Sequence, residues 1–207
     1  MALESPGGRA AVVKVGFIVE GDCDKIVLES PQFRQWLREE CGLELVDPVI
    51  DATGSGNLHQ ANVGLQVRSL RRRCNPDKVV VIADLDPDES VPCITRRKEL
   101  IGCDGIDLVL VARTAIESWF LADTSAMGRC TGNMNFVEAL PETHEKPWER
   151  LRSVILSETG RGPGSRKPVF AKRFVLQHGF DLTRAAAHPA CPSAAYAVAR
   201  LKSLAAT

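Results

Sequence analysis

Residues 78–83 read KVVVIA, an unbroken β-branched and aliphatic run that is followed by a carboxylate, Asp84. A strand that is apolar on both alternating sides must be covered on both faces. This excludes a one-sided hairpin and points to the interior of a parallel sheet with helices on either side. Residues 12–19, VVKVGFIV, form a second such run, closed by Glu20-Gly21. From Asp22 to Glu40 the period changes to helical, with Ile26, Leu28, Phe33, Trp36 and Leu37 able to share an apolar side. Pro31 is expected to split or kink that helix, and Gly42 to stop it. Leu43–Ile50 is a strand candidate, and Pro48 places it near an edge. A loop at 51–56 and a helix over 57–73, with Asn57 as a cap, follow. A helix over 90–102, a strand at 106–111 (IDLVLV) and a short helix at 116–122 continue the alternation. The expected class is α/β, with a mostly parallel sheet flanked by helices.

Beyond residue 125 the strand signal disappears, and helices fit 148–158, 169–178 and 193–205. The expected organisation is an α/β core over 11–125 and a helical extension over 126–207 packed on it. Charge follows that division. Residues 1–125 hold 14 Lys and Arg against 20 Asp and Glu, a net −6, and residues 126–207 hold 12 against 6, a net +6. An acidic catalytic half and a basic substrate-gripping half would divide charge in this way.

Other classes are disfavoured. No apolar run reaches the ~18–20 residues that span a bilayer, and MALESPGGRA lacks the basic and apolar segments of a secretory signal. Seven cysteines stand without a C-x-x-C pair. Reduced thiols in a cytoplasm are the simplest reading, with no zinc ribbon or disulfide framework and no membrane partner.

The chemistry is expected where the strands end. Glu20 closes one apolar strand, and Asp84-Leu-Asp86-Pro-Asp88 closes another. In a parallel sheet the ligand crevice lies outside the carboxyl ends of the strands. The two features therefore meet if their strands are neighbours. Carboxylates gathered there repel one another unless a cation neutralises them. Mg²⁺, with Mn²⁺ as a substitute, is the natural partner, being hard and content with one or two carboxylates plus water. Asp84 and Asp86 alternate along the strand and so face one way. Against this, an acid just after a strand often only caps the next helix, a role open to Asp22 and Asp88.

These residues resemble the Toprim family, the metal-binding domain shared by topoisomerases, primases and overcoming-lysogenization-defect nucleases. The resemblance covers about residues 12–122. It rests on Glu20-Gly21, on Asp24 and Lys25 in an E-G-x-x-D-K pattern, and on Asp84-x-Asp86. Small bacterial Toprim-like proteins also carry an acidic motif similar to ARTAIESWFLAD (112–123) and a late Cys191-Pro192-Ser193. The resemblance implies a Toprim/Rossmann-like sheet, with Glu20 as general acid/base or metal ligand. It also implies Asp84, Asp86 and Glu117 as metal ligands. It further implies an association with phage defence and mobile elements, where a second copy or a defence-operon protein would be a partner.

Arg161, Arg166, Lys167, Lys172 and Arg173 fall within 161–173, a stretch without an acid. They are candidate contacts to the backbone of DNA or RNA, or else a solvated loop and helix face. Lys172 stands five residues after Lys167, so one helix does not place both on one side. Of the pair, Lys172 is the candidate for steadying a transferring phosphate. Arg71-Arg72-Arg73 fits a helix C-terminus better than a nucleic-acid patch. Ser193 and Cys191 lack a nucleophile–base arrangement and read as helix-start and packing residues. A single tyrosine, Tyr196, late in a helical tail, argues against a topoisomerase.

The expectation is thus an Mg²⁺-dependent phosphoryl-transfer enzyme, a nuclease acting on DNA or RNA. The alternative is a non-catalytic nucleic-acid- or nucleotide-binding regulatory subunit of a larger complex.

Overall fold

The computed structural model describes residues 12–85 and 93–206. In chain order the elements are β1 (Val13–Val19), α1 (Asp22–Leu28), α2 (Pro31–Cys41), β2 (Leu43–Leu45), β3 (Ile50–Asp51), α3 (Gln60–Cys74), β4 (Lys78–Asp84), α4 (Ile94–Ile101) and β5 (Leu108–Ala112). Six helices follow: α5 (Glu117–Ala122), α6 (Thr124–Thr131), α7 (Pro147–Thr159), α8 (Lys167–Leu176), α9 (Leu182–Ala186) and α10 (Pro192–Leu204).

All strand pairs are parallel, in the order β2-β1-β4-β5, with β3 also paired to β1. Alternate side chains explain why KVVVIAD carries no polar residue in its middle. Val80 and Ile82 enter a core shared with Val15, Phe17 and Val19, with α1 and α2, and with the later helices. Val79, Val81 and Ala83 face a smaller core with Ile18, Leu58, Val63, Val67, Leu70 and Ile101. Period-2 alternation thus feeds two apolar layers. The helices beyond residue 125 have no separate core among the described residues. Leu151, Phe170, Phe174, Leu182, Ala194 and Leu201 all belong to the larger cluster.

Several local expectations are sharpened or change for identifiable reasons. Pro31 splits the helix, one of the two outcomes expected of it, by beginning a second one. Ser30 caps α2 by accepting from the Phe33 N–H at 3.2 Å, and proline sits where no backbone donor is needed. The strand expected over Leu43–Ile50 is two short strands, because Pro48 has no N–H for the ladder. Asn57 lies in a 3₁₀ turn over Ser55–Asn57, and α3 starts three residues later than expected, after His59. Helices α6 and α9, each beginning at an aspartate that accepts from a backbone N–H, were not anticipated. Arg71 answers the end of α3, where its guanidinium donates to the Gly105 carbonyl at 3.1 Å. No helix among the described residues is long and apolar enough to cross a membrane.

Glu138 ties the chain ahead of α7 to that helix. Its carboxylate is buried, accepts from Arg150 Nε at 2.7 Å and has His144 Nε2 at 3.3 Å. Burial alone would raise its pKa, but Arg150 and His144 together hold it below the ordinary 4.5. A folded-state pKa below the unfolded one means stability present above that ordinary value and lost as pH falls through the folded one. In thermal melts from about pH 6 to pH 3, Glu138→Gln should therefore lose less of its Tm than the parent chain.

Candidate functional site

The strand order puts β1 beside β4, with Val19 opposite Ile82. From β1 the chain moves first to β2 and β3 on one side, then returns to β4 and β5 on the other. The reversal falls between β1 and β4, and a crevice at their carboxyl ends is the expected ligand site of such a sheet. Glu20 and Asp84 both lie there. The Asp84 N–H donates to Glu20 Oε2 at 3.0 Å. Asp84 Oδ1 in turn accepts from the Ile116 N–H at 3.0 Å, which carries the start of α5, and Glu117 with it, to the same place. The chain leaves β5 through Thr114, whose φ of +149° is unusual for a residue with a Cβ. The Thr114 hydroxyl lies 2.6 Å from that of Ser118, holding this turn onto α5.

Glu20, Asp24, Asp84, Glu117 and Lys167 line one cavity of about 400 Å³, together with Asp51 and the Thr53–Gly54 loop. Glu20, Asp24 and Glu117 are buried, so repulsion among them is little screened. Among the described residues, Arg97 and Lys167 answer it. Arg97 Nη2 lies 3.1 Å from Glu20 Oε2, and Arg97 Nε donates to the Asp84 carbonyl at 3.1 Å. Lys167 Nζ lies 3.0 Å from Glu117 Oε1 and 5.8 Å from the centre of the Trp148 ring.

The residual strain appears at Asp24. Burial first, then the nearby Glu20 and Glu117 carboxylates, push its pKa up to about 8, although the Gly21 N–H donates to Oδ2 at 3.3 Å. Its Oδ1 is buried and accepts no hydrogen bond. Cys23 beside it is pushed up to about 12 by burial and by Glu117 and Asp24, which keeps it a neutral thiol. Burial also raises Asp51, helped by the adjacent Asp22. Lys167 would be lowered by burial, yet Glu117 outweighs that and raises it, so it stays charged.

The expected residues are thus distributed as follows. Glu20, Asp84, Glu117 and Lys167 share the cavity. Asp86 and Asp88 lie outside the described residues. Lys172 does not line the cavity and is exposed; five residues beyond Lys167 on α8, it lies about 140° round the helix from it. Lys167, at the first turn of α8, lies against Glu117. Arg161, Arg166 and Arg173 are exposed around the loop before α8, and Arg173 donates back to the Pro163 carbonyl at 3.2 Å. Asp24 was legible as part of E-G-x-x-D-K but not as a cavity residue. Arg97 was missed outright: in TRRK nothing distinguishes it from Arg96, and only the docking of α4 buries one and exposes the other.

The donors in the cavity are hard oxygens, one of them the orphaned Asp24 Oδ1, and this chemistry fits Mg²⁺ or Mn²⁺. Among the described residues no three Asp, Glu, His or Cys side chains form a ready cage for an ion. The fit is that of an ion held by one or two carboxylates with water completing its shell.

The fold and cavity define a parallel α/β protein with a carboxylate-lined crevice at the point where strand order reverses. No family model matches the chain, and no curated protein matches it. Among solved structures the chain is similar to the C-terminal region of the Burkholderia pseudomallei OLD protein, at 18% identity and a TM-score of 0.43, over 91% of this chain and 98% of that one.

Proposed function

We propose that the chain is an Mg²⁺-dependent phosphoryl-transfer enzyme that cleaves phosphodiester bonds in DNA or RNA. The observation that carries this reading is the meeting of Glu20, Asp84, Glu117 and Lys167 in one crevice at the β1/β4 strand ends. Asp84 and Glu20 would hold the ion, with water completing its shell. A bound Mg²⁺ supplies Lewis acidity at the phosphoryl group.

The chain's own residues do the rest. Arg97 and the Asp84 N–H fix Glu20 from two sides, so its carboxylate does not reorient when substrate arrives. Lys167, half exposed beside Glu117, is the cation that would turn to a phosphate oxygen and stabilise charge that builds during transfer. Arg161, Arg166 and Arg173 stand on the same loop and helix, placed to grip the flanking backbone without reading sequence.

The test is incubation with labelled single- and double-stranded DNA and RNA, with Mg²⁺, Mn²⁺ or chelator. Metal-dependent cutting of at least one substrate is expected; binding without cutting in every condition would overturn the enzymatic reading. That outcome would favour a non-catalytic nucleic-acid-binding subunit, a role to which the internal Arg97–Glu20 and Lys167–Glu117 pairs are also suited. Independently of activity, Mn²⁺ should raise the Tm of the parent chain, and Asp84→Ala should abolish the shift. Ligand binding to the folded state alone stabilises by mass action, about 2.7 kcal/mol at a hundredfold excess over Kd.

A further inference from the structure

A second cavity, of about 500 Å³, opens at the carboxyl ends of β4 and β5, next to the first. Asp84 pairs with Ala112, and the Leu85 N–H donates to the Ala112 carbonyl at 3.0 Å, so one strand end separates the two spaces. From the sequence, Cys191 and Ser193 read only as helix-start and packing residues, and the lone Tyr196 had no positive role.

Lys98, Arg113 and Tyr196 line this cavity, with Val111 as apolar wall and Glu142 and Ser193 deeper. Tyr196 is 44% exposed. Lys98 Nζ lies 3.2 Å from its hydroxyl and 4.4 Å from the ring centre, so the ring is steadied and remains partly open. Arg113 is exposed, and its backbone N–H donates to Ser193 Oγ at 3.2 Å. Ser193 Oγ also accepts from Trp119 Nε1 at 2.8 Å and is hydrogen-bonded to Glu142. Glu142 is buried. Its Oε1 accepts from the Ser193 N–H at 3.0 Å and from the Cys191 thiol at 3.2 Å, whereas Oε2 is buried without any donor. The cavity is therefore cationic and aromatic outside, and short of hydrogen-bond donors inside.

A bare anion fits the rim but not the floor. An apolar ligand fits the walls but leaves Lys98 and Arg113 unanswered. A nucleotide answers both: its phosphate meets the cations, its base has a face for Tyr196, and its edge carries N–H donors. The volume lies within the ~300–1,000 Å³ usual for small-ligand sites.

We infer that this cavity holds one unpaired nucleotide of a nucleic-acid strand, next to the phosphodiester held in the crevice, and so directs the enzyme to single-stranded substrate. This rests on the phosphodiesterase reading. Base–aromatic stacking is tolerant of sequence and requires the base to be out of a duplex. The structure thus assigns Tyr196 to substrate selection, and Lys98 and Arg113 to the neighbouring phosphate.

The test uses the full chain with Ca²⁺ in place of Mg²⁺ and a 2-aminopurine-containing single-stranded oligonucleotide, the same sequence as a blunt duplex, and a 2-aminopurine mononucleotide. Stacking should quench the single strand. Tyr196→Ala should weaken its binding about 5- to 100-fold, the scale of losing one stacked base. Tyr196→Trp should restore it, and the duplex should respond to neither change. Because Tyr196 sits half exposed on α10, circular dichroism should be unchanged. Equal binding of the single strand by the parent and Tyr196→Ala overturns the inference while leaving the phosphodiesterase reading standing, provided cutting persists with Mg²⁺. Quenching of the mononucleotide alone overturns it too, and makes the occupant a free nucleotide. Neither binding nor cutting of any nucleic acid overturns both.

Discussion

Asp84→Asn should lower metal-dependent phosphodiester cleavage at least about a hundredfold, the scale of removing one preorganised charge-stabilising group. The substitution is chosen because it changes little else. Asparagine is the same size, and its carbonyl oxygen can still accept from the Ile116 N–H, the bond that seats α5. The backbone N–H that holds Glu20 and the carbonyl that holds Arg97 are untouched. The negative charge is lost, and one carboxylate oxygen becomes an amide NH2. Single-turnover rates at saturating Mg²⁺ measure the effect, and an unchanged melting curve without metal shows that the fold survives. Cutting at the parental rate by Asp84→Asn would sink the site assignment.

The lysines sharpen the same experiment. Lys167→Met should approach the effect of Asp84→Asn, because Lys167 is the cation that faces Glu117 in the crevice. Lys172→Met should change the rate less than about threefold and act, if at all, through a flatter salt dependence of substrate binding. A large loss from Lys172→Met with none from Lys167→Met would reverse their roles.

The second large effect concerns stability. Phe174 is fully buried on α8, with ring centres of Phe120, Phe170 and Phe180 at 5.1, 5.3 and 6.0 Å. Phe120 belongs to α5, the helix that starts with Glu117, and α8 starts with Lys167. The aromatic cluster therefore fixes the two helices whose first residues form the ion pair of the site. Phe174→Ala should cost about 3–5 kcal/mol, from lost transfer energy plus an unfilled cavity. In a chain of this size that lowers Tm by roughly 6–20 °C. Activity measured well below the new Tm should also fall, since Glu117 and Lys167 lose their common support. Phe174→Leu should fall between the two in both measurements.

Part of this was readable in the chain and part was not. KVVVIA, VVKVGFIV and the helical stretches between them announced a parallel sheet covered on both faces, because a strand without a polar side has no other place to lie. The acids closing those strands followed from the same pattern. Helix ends were read less well. A cap such as Asp123 or Asp181 works through one hydrogen bond whose existence depends on the path of the neighbouring chain. The short helices they start were therefore invisible to periodicity. From the sequence, Lys172 and not Lys167 was expected at the transferring phosphate, a choice that the sequence could not support for a related reason. A helix period shows that they point apart, but not which of them points inward.

By itself, then, the sequence determined the sheet and the carboxylates at its strand ends, since both are written in local alternation and in where each apolar run stops. Only the tertiary structure decided what surrounds those carboxylates. It set β1 beside β4, buried Arg97 against Glu20, brought Lys167 across more than forty residues of chain to Glu117, and left Tyr196 on the rim of a second cavity. Those are long-range pairings, fixed by which faces pack together, and no spacing along the chain encodes them.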